Sequence, residues 1–339
     1  MTVNLSLDTF KVRILDFESH VRDLNDKAFK TNFIEDKAGI SRPQKILKDE
    51  FRPIGCSSFS FYPDSNTAIL EGSAKILKDD YRSGICLATL DHFSSAYNGA
   101  AFQLDNEWVH DSIMYKFDVT QNIKPTDLAR SINDLRLLSL NDDYIMNVIK
   151  DTTVEFKGKA KSNPHKQKLY LKMPELLKKK NKHFIKLISP KTVNSFLGDL
   201  RVERSFTVFS DMRDGLSIPQ RVDNSIYLMD VLKSSAKPNL TLLKTISSCQ
   251  LPLFAVDPKY DEYKRWEDVV KWNGIKNIII DCKYDLNILM NRVKDKYTGK
   301  GKPTRYRKIY AKYIAELKAN STPNTLTSSI QEILDQLAV

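Results

Sequence analysis

The chain has 339 residues, is 41% hydrophobic and has a formal net charge of +11 at pH 7. That length and apolar content are sufficient for one large domain or two domains with a substantial core, which excludes an intrinsically disordered chain. The four cysteines lie far apart, so the sequence predicts neither a zinc site nor a disulfide framework and favours a reducing compartment. The first ten residues lack a signal-peptide pattern and no apolar run approaches a membrane span, so we expect a cytoplasmic protein without a membrane partner.

The positive charge is concentrated in two regions of the chain. Residues 151–190 contain eleven lysines and three acidic residues, and residues 291–320 contain ten basic and two acidic residues, so each region has a net charge of +8. The rest of the chain is slightly acidic. Concentrated basic regions on an acidic background are typical of surfaces that bind a polyanion, and a solvated lysine face is the alternative for either region alone.

The N-terminal part of the chain mixes strand and helix patterns. In chain order, we predict strands at 9–15, 57–62 and 68–71, a helix at 87–96, a strand at 115–120, a helix at 125–138, a hairpin of strands at 152–156 and 168–171, a helix from Pro174 and a strand at 200–209. Gly72 is expected to end the third strand in a polar turn. Antiparallel pairs mixed with helices indicate an α+β fold rather than an alternating doubly wound one.

Beyond Pro219 the patterns become mainly helical. The predicted elements are helices at 225–247, 284–297 and 304–319, a buried strand or helix start at 274–281, and a short final helix from Ile330. We therefore expect an antiparallel-sheet α+β catalytic domain at 1–212, a smaller, mostly helical basic domain at 213–320 that binds DNA, and a polar tail at 321–339.

Two carboxylates lie in the middle of predicted strands. Asp118 shares a strand face with Lys116 and Thr120, and Glu203 has the same relation to Arg201. If the two strands pair in one sheet, the carboxylates can converge on a hard divalent cation, which prefers oxygen ligands. An exposed sheet face with ion pairs is the alternative interpretation.

A tyrosine flanked by lysines lies in the second strand of the predicted hairpin. Tyr170 points to the same face as Lys168 and Lys172. Cations near a phenol favour the phenolate and neutralise a scissile phosphate, so Tyr170 is the candidate nucleophile and Lys172 the assisting cation. Half-buried packing in a strand is the alternative.

Tyr306 and Tyr310 form a second candidate pair of nucleophiles. Their spacing places them one turn apart on one face of the helix predicted at 304–319, among basic residues. The alternative is a basic helix that packs Tyr306, Tyr310 and Tyr313 against a core.

Basic side chains near these elements are predicted to contact DNA phosphates. The loop 157–162 lacks the full P-loop pattern, which argues against hydrolysis of nucleoside triphosphates, but its lysines suit a backbone phosphate. For the run 178–180 the alternative is solvation of a helix end. The predicted contacts are Lys75, Lys157, Lys159, Lys161, Lys168, Lys178, Lys179, Lys180, Arg201, Arg305, Arg307 and Lys308.

Several segments occur in the order found in phage and plasmid rolling-circle replication initiators similar to the filamentous-phage gene II product. They are Glu71-Gly72-Ser73 with Lys75, Asp118-Val119-Thr120 with Asn122, Gly158 and Ser162 before Leu169-Tyr170-Leu171-Lys172 and Glu175-Leu176, and Leu200-Arg201-Val202-Glu203. The later Trp272, Gly274, Asp281 and Arg305-Tyr306-Arg307-Lys308 also resemble the distal region of that family. The resemblance therefore covers most of residues 66–318.

The resemblance implies an endonuclease that nicks one DNA strand at an origin and later rejoins the ends. The 5′ phosphate becomes bound to a tyrosine, and the free 3′ hydroxyl primes a polymerase. It further implies Mg²⁺ or Mn²⁺ as cofactor, single-stranded or supercoiled origin DNA as partner, host helicase and polymerase as further partners, and the cytoplasm of a bacterial host. Many such nickases hold the metal with two histidines one residue apart. No such pair occurs here, so the metal is expected on Asp118 and Glu203, with Glu71 as a weaker third ligand.

Two other functions share these basic regions. A non-catalytic initiator that binds origin DNA would need no metal and would account for the absence of the histidine pair. A metal-dependent nuclease that uses water as nucleophile would leave no protein-bound product.

Overall fold

The computed structural model describes most of the chain. The described residues are 5–35, 39–136, 138, 140, 143–248, 253–254, 274–276, 278–279, 282, 286–293, 302–319, 321–322 and 326–339. None of the helices in these ranges combines the length and the apolar character that crossing a bilayer requires.

The fold is built on one large antiparallel sheet. The strands of the described residues are β1 (Leu7–Ile14), β2 (Val21–Arg22), β3 (Phe29–Glu35), β4 (Ser41–Leu47), β5 (Cys56–Tyr62), β6 (Thr67–Ser73), β7 (Gln103–Leu104), β8 (Ser112–Ile123), β9 (Tyr144–Ile149), β10 (Thr153–Gly158), β11 (Lys166–Leu171), β12 (Leu200–Phe206), β13 (Leu253–Phe254) and β14 (Ser321–Thr322). Ten of them form the main sheet in the order β3-β4-β5-β6-β1-β8-β12-β11-β10-β9. The predicted α+β fold with an antiparallel sheet is therefore confirmed.

The helices are mostly short. The α-helices with described bounds are α1 (Phe17–His20), α2 (Leu90–Ser95), α3 (Leu128–Arg136), α4 (Lys172–Leu176), α5 (Lys182–Ile185), α6 (Pro190–Ser195), α7 (Phe209–Leu216), α8 (Leu228–Lys233), α9 (Pro238–Ser248), α10 (Leu286–Val293), α11 (Lys302–Ala319) and α12 (Ser328–Ala338). A 3-10 segment, Ala74–Arg82, follows β6 directly.

The two faces of the sheet differ because its strands alternate in sequence. In β12, Leu200 and Val202 are buried in an apolar cluster with side chains of α3, α9 and α12, whereas Arg201 and Glu203 point to the other face. A second apolar cluster fills the β1–β6 side of the sheet and includes Phe117 of β8. The face of β12 that carries Leu200 and Val202 therefore packs against helices, and Arg201 and Glu203 lie on its other face, which we call the polar face.

Several sequence predictions need correction. The strand predicted to stop at Gly72 runs through it to Ser73. The glycine is required there because a Cβ would lie 2.7 Å from the carbonyl oxygen of Gly55 and 2.8 Å from the Tyr97 hydroxyl. The strand interpretation of 274–281 is wrong, since the described residues 274–276 and 278–279 are helical. The strands β3, β4 and β9 were not predicted, because their alternation is weak and most of β3 is exposed.

The C-terminal helix packs against the sheet. The Thr327 hydroxyl caps α12 by accepting a hydrogen bond from the backbone N–H of Ile330. Ile330, Ile333 and Leu337 are then buried against α3 and α9. The sequence predicted the helix but not its position in the apolar cluster beneath β12.

Candidate active site

Three neighbouring strands contribute residues to the polar face of the sheet. The register places Asn122, Thr120 and Asp118 of β8 opposite Arg201, Glu203 and Ser205 of β12, and these opposite Tyr170, Lys168 and Lys166 of β11. Directly opposed residues in an antiparallel pair point to the same side. Tyr170, the nucleophile predicted from the sequence, thus lies on the same face of the sheet as Asp118 and Glu203.

Tyr170 donates a hydrogen bond to the Glu203 carboxylate. The ammonium of Lys172 lies 3.5 Å from the same phenol oxygen, and that of Lys168 lies 4.4 Å from the ring centroid. Tyr170 is only 3% exposed. Burial, followed by the negative charge of Glu203, raises the pKa of the phenol well above its ordinary value. Ionisation of Tyr170 therefore requires a proton acceptor in direct contact.

The Glu203 carboxylate is that acceptor. Burial, and then the nearby charge of Asp8, raises its pKa to about 7, although Arg201 and the Tyr170 hydrogen bond act in the opposite direction. A carboxyl group with a pKa near neutrality can both accept and return a proton at physiological pH. The hydrogen bond of Tyr170 to Glu203 is thus a geometry that fits proton exchange between the two side chains.

Lys172 is buried inside the protein at 1% exposure, at the start of α4. Its ammonium donates to the Tyr81 hydroxyl at 2.7 Å and to the Glu175 carboxylate at 3.1 Å. Burial, and then the positive charge of Arg201, lowers its pKa. The hydrogen bonds to Tyr81 and Glu175 therefore hold the amino group of Lys172 in place beside the phenol of Tyr170.

Arg201 pairs with protein groups below the surface. Its guanidinium lies 3.2 Å from the Asp8 carboxylate and donates to the Asn122 side chain at 2.9 Å. At 1% exposure it is covered by the rings of Tyr81 and Phe196. The predicted contact of Arg201 with a DNA phosphate is not accessible in this conformation, because the guanidinium is directed at the Asp8 carboxylate.

The predicted metal ligands are only partly brought together. Asp118 and Glu203 are diagonal neighbours on β8 and β12, a relation in which the Cα atoms typically lie roughly 7–8 Å apart. The Asp118 carboxylate accepts a hydrogen bond from the Thr9 hydroxyl, and the Glu203 carboxylate accepts one from Tyr170. Glu71 lies two strands further along the sheet from Asp118 and pairs with Lys11 at 3.6 Å. No group of three or more His, Cys, Asp or Glu among the described residues could hold a metal ion. The oxygen chemistry of Asp118 and Glu203 fits a hard cation; the position of Glu71 does not.

A lysine-lined pocket of about 340 Å³ lies at one end of the polar face. Lys157, Lys159, Lys161 and Lys166 line it together with the hydroxyl-bearing Ser205 and Thr207. Among the described residues, Lys157 and Lys161 have no ion-pair partner. We call it the lysine pocket. Its cations and hydroxyls match the oxygens of a backbone phosphate.

The loop that forms the lysine pocket has a fixed shape. The backbone N–H groups of Gly158 and Lys159 donate to the carbonyls of His165 and Asp143, and the Asn163 side chain accepts from the N–H of His165. A Cβ at Gly158 would lie 2.3 Å from the Asn163 carbonyl oxygen, so only glycine fits. The pocket is therefore preorganised by backbone bonds.

The remaining predicted DNA contacts lie away from this pocket. Lys75 donates to the Asn181 side chain, and Lys180 lies 3.7 Å from Glu175. The run 178–180 is exposed between α4 and α5. Arg305, Arg307 and Lys308 are exposed on α11, where Arg307 donates to Asn287.

Tyr306 and Tyr310 lie on one face of α11, the arrangement that their spacing indicates. Their rings stack with centroids 6.2 Å apart. Tyr310 and Tyr313 pack against an apolar cluster that contains Ile279 and Ile314. This packing accounts for two of the three tyrosines as core residues of a small helical unit.

Three residues of the site were missed in the sequence. Asp8 lies one residue before the predicted first strand, and Tyr81 lies in the 3-10 segment. Glu175 was named only as part of the resemblance to the initiator family and was given no role. The available signal was Asp8 itself, an acidic residue inside an otherwise apolar alternation. Its partner Arg201 could not be identified, because the two are far apart in the chain.

Comparison with known proteins gives little further information. No protein-family model and no curated protein matches the chain. A solved structure described as the rolling circle replication initiator protein from Geobacillus stearothermophilus is similar over 60% of this chain and 74% of that chain, with 10% identity and a TM-score of 0.27. A similarity at this level does not identify a shared function.

Proposed function

We propose that the protein is a rolling-circle replication initiator that nicks and rejoins one DNA strand through a tyrosine-bound intermediate. The observation that supports this most is the contact of Tyr170 with Glu203 and Lys172 on the polar face that leads to the lysine pocket. The proposed nucleophile, proton acceptor, cation and phosphate site then lie along one face of the sheet.

The proposed reaction begins with proton transfer from the Tyr170 phenol to the Glu203 carboxylate. The phenolate oxygen attacks the scissile phosphorus, the bond between phosphorus and the 3′ oxygen breaks, and that oxygen leaves as a hydroxyl after taking the proton that Glu203 received from Tyr170. Lys172 stabilises the phenolate, and the lysine pocket holds a neighbouring phosphate. In rejoining, a 3′ hydroxyl attacks the phosphotyrosine and the phenol regains its proton.

The proposed divalent cation, Mg²⁺ or Mn²⁺, would be held by Asp118 and Glu203. When bound it would neutralise charge on the scissile phosphate. Glu203 then has two proposed roles, metal ligand and proton acceptor.

One observation favours a second function. Tyr170 is 3% exposed, so a phosphate can reach its oxygen only after neighbouring side chains move aside. A protein that binds origin DNA without cutting it would leave this network closed. In that case the buried ion pairs around Tyr81 serve stability alone.

The test is incubation with single-stranded and supercoiled origin-containing DNA in Mg²⁺ or Mn²⁺, followed by denaturing electrophoresis. The proposal expects a nicked strand and a covalent protein–DNA adduct whose labelled peptide contains Tyr170. A nicked strand without adduct would support a water-using nuclease. Binding with neither product would support the non-catalytic initiator.

A further inference from the structure

The strand β9 forms one outer edge of the main sheet and lacks the features that usually block such an edge. It pairs with β10 at every one of its residues, and among the described residues no strand pairs with its other side. Residues 144–149 contain neither a charged residue nor a proline, and their pairing with β10 has no bulge. Charges, prolines and bulges normally block sheet edges, because a free row of N–H and C=O groups can pair with another chain. The edge of β9 is therefore open to an added strand.

The side chains of β9 are apolar although they face solvent. Ile145 is 43% exposed, Val148 is 42% exposed and Ile149 is 48% exposed. Single exposed apolar residues are normal on a protein surface, but several in one short strand mark an interaction site. The edge at the other end of the sheet differs, because β3 carries the charged Lys30 and Glu35. Apolar exposure and an open edge thus coincide at β9.

The sequence of β9 is self-complementary about Asn147. In an antiparallel pair of two β9 strands centred on this residue, Asn147 lies opposite its own copy, Ile145 lies opposite Ile149, and Met146 lies opposite Val148. Directly opposed residues point to the same side of a sheet. Each apolar residue in this stretch therefore meets an apolar residue of the second strand, and the polar side chain meets its own copy.

We infer that β9 is the interface of a homodimer in which two copies pair antiparallel about a two-fold axis at Asn147. A second copy is the partner because the strand matches itself in chemistry and in register. Such pairing uses the open edge of both copies, so the assembly closes at two subunits. Only one strand of each copy takes part, so we expect a weak dimer at the low end of interface sizes, with a dissociation constant in the micromolar range.

The dimer would place the two polar faces on the same side of one continuous sheet. Asn147 lies opposite Glu155 of β10, which lies opposite Lys168 of β11, so Asn147 belongs to the polar face. The two Tyr170 side chains would then be separated by the strands β10 and β9 of each copy, which is roughly 24 Å across the sheet at about 4.8 Å for each strand spacing. The dimer does not depend on the proposed function, but it would offer one DNA molecule two lysine pockets.

Sedimentation velocity of the full chain without DNA measures the association. We expect the apparent mass of the wild-type protein to rise from one copy toward two as its concentration increases through the micromolar range. Asn147→Lys should raise the dissociation constant roughly fivefold, because it places two like charges directly opposite each other in a strand pair. Asn32→Lys adds the same charge at an exposed position of the other edge strand, β3, and should dimerise as the wild-type protein does. Cooperative urea unfolding of both variants verifies that they are folded.

Cysteine cross-linking tests the register. Opposed residues of an antiparallel pair have Cα atoms about 4.5–5.5 Å apart, which is within the range of a disulfide. Asn147→Cys should therefore give a disulfide-linked dimer on a non-reducing gel after mild oxidation. Ile149→Cys is the matched control, since it is exposed on the same face but lies four residues from its own copy along the strands, roughly 13 Å. It should give no more linked dimer than the wild-type protein, which contains the free thiol of Cys56.

Each other outcome counts against the inference. A wild-type protein that stays monomeric throughout would refute the β9 interface and leave the nicking proposal intact, since no step of that reaction requires two copies. A dimer that Asn32→Lys weakens and Asn147→Lys does not would place the interface at β3. Equal cross-linking of the two cysteine variants, or none in either, would refute the pairing about Asn147.

Discussion

Tyr170 and Glu203 are diagonal neighbours on β11 and β12, and the phenol of one donates a hydrogen bond to the carboxylate of the other. The residue directly opposite Tyr170 is Arg201, which is directed instead at Asp8. The diagonal arrangement therefore forms two separate pairs on one face, the hydrogen bond of Tyr170 with Glu203 and the ion pair of Arg201 with Asp8.

Replacing Tyr170 by Phe should abolish the covalent adduct without weakening DNA binding. The substitution removes only the attacking oxygen and keeps the ring that packs under Lys168. Denaturing gels report the adduct, and anisotropy reports binding. Tyr306→Phe and Tyr310→Phe are the matched controls and should retain the adduct. An adduct that survives in Tyr170→Phe and disappears in either control would move the nucleophile to α11.

Glu203→Gln should change the pH dependence of stability. Because the folded pKa of Glu203 is raised to about 7 from the ordinary value of 4.5, the folded state binds more protons between these values. The free energy of unfolding of the wild-type protein should therefore fall as the pH rises from about 4.5 through 7 and level off above.

The expected size of this fall is roughly 1–2 kcal/mol, since one pKa unit corresponds to about 1.4 kcal/mol and solvent screens part of the carboxyl. Glu203→Gln should remove it, as followed by urea unfolding at pH 5 and pH 8. An unchanged pH dependence in the variant would show that Glu203 titrates in its ordinary range.

Asp118→Asn should raise the Mg²⁺ or Mn²⁺ concentration needed for nicking, because it removes one of two proposed carboxylate ligands. Glu71→Gln should leave that concentration unchanged, since Glu71 lies two strands away from Asp118 and pairs with Lys11. Metal titration of nicking activity measures both. If both substitutions raise the required metal concentration equally, Glu71 is a metal ligand as well.

Lys157→Ala combined with Lys161→Ala should weaken DNA binding and reduce its salt dependence. For each lysine–phosphate interaction that the substitutions remove, the slope of log affinity against log salt should become shallower by about 0.7–0.9. Lys45→Ala is the control, because Lys45 of β4 already pairs with Asp26. A slope that does not change in the double variant would exclude the lysine pocket as a phosphate site.

Asp8→Ala should destabilise the fold by about 3–5 kcal/mol, because it leaves the Arg201 guanidinium buried without its charge partner. Urea unfolding measures this cost. Asp26→Ala breaks an exposed pair and should have almost no effect. A small effect of Asp8→Ala would mean that Arg201 can turn toward solvent, where it could meet a phosphate.

Much of the fold was predictable because strand alternation and helix spacing are local properties. The hairpin of β10 and β11, the central strands β8 and β12 and the helix α11 all follow from residues close in sequence. The division at 212/213 stays a prediction, although α8, α9 and α12, which lie beyond it, pack into the two sheet cores. The exposed strands β3 and β9 have little alternation and so gave no signal.

The residue types needed for the chemistry can be read from the chain alone: a tyrosine between lysines, carboxylates within strands and a lysine-rich loop. Their partners are set by the three-dimensional packing. Glu203 meets Tyr170, Arg201 is held by Asp8, and Glu71 is kept apart from Asp118 by the strand order. The physical reason is that strand pairing and burial join residues far apart in the chain. Their effects on pKa and access depend on distances that no local pattern encodes.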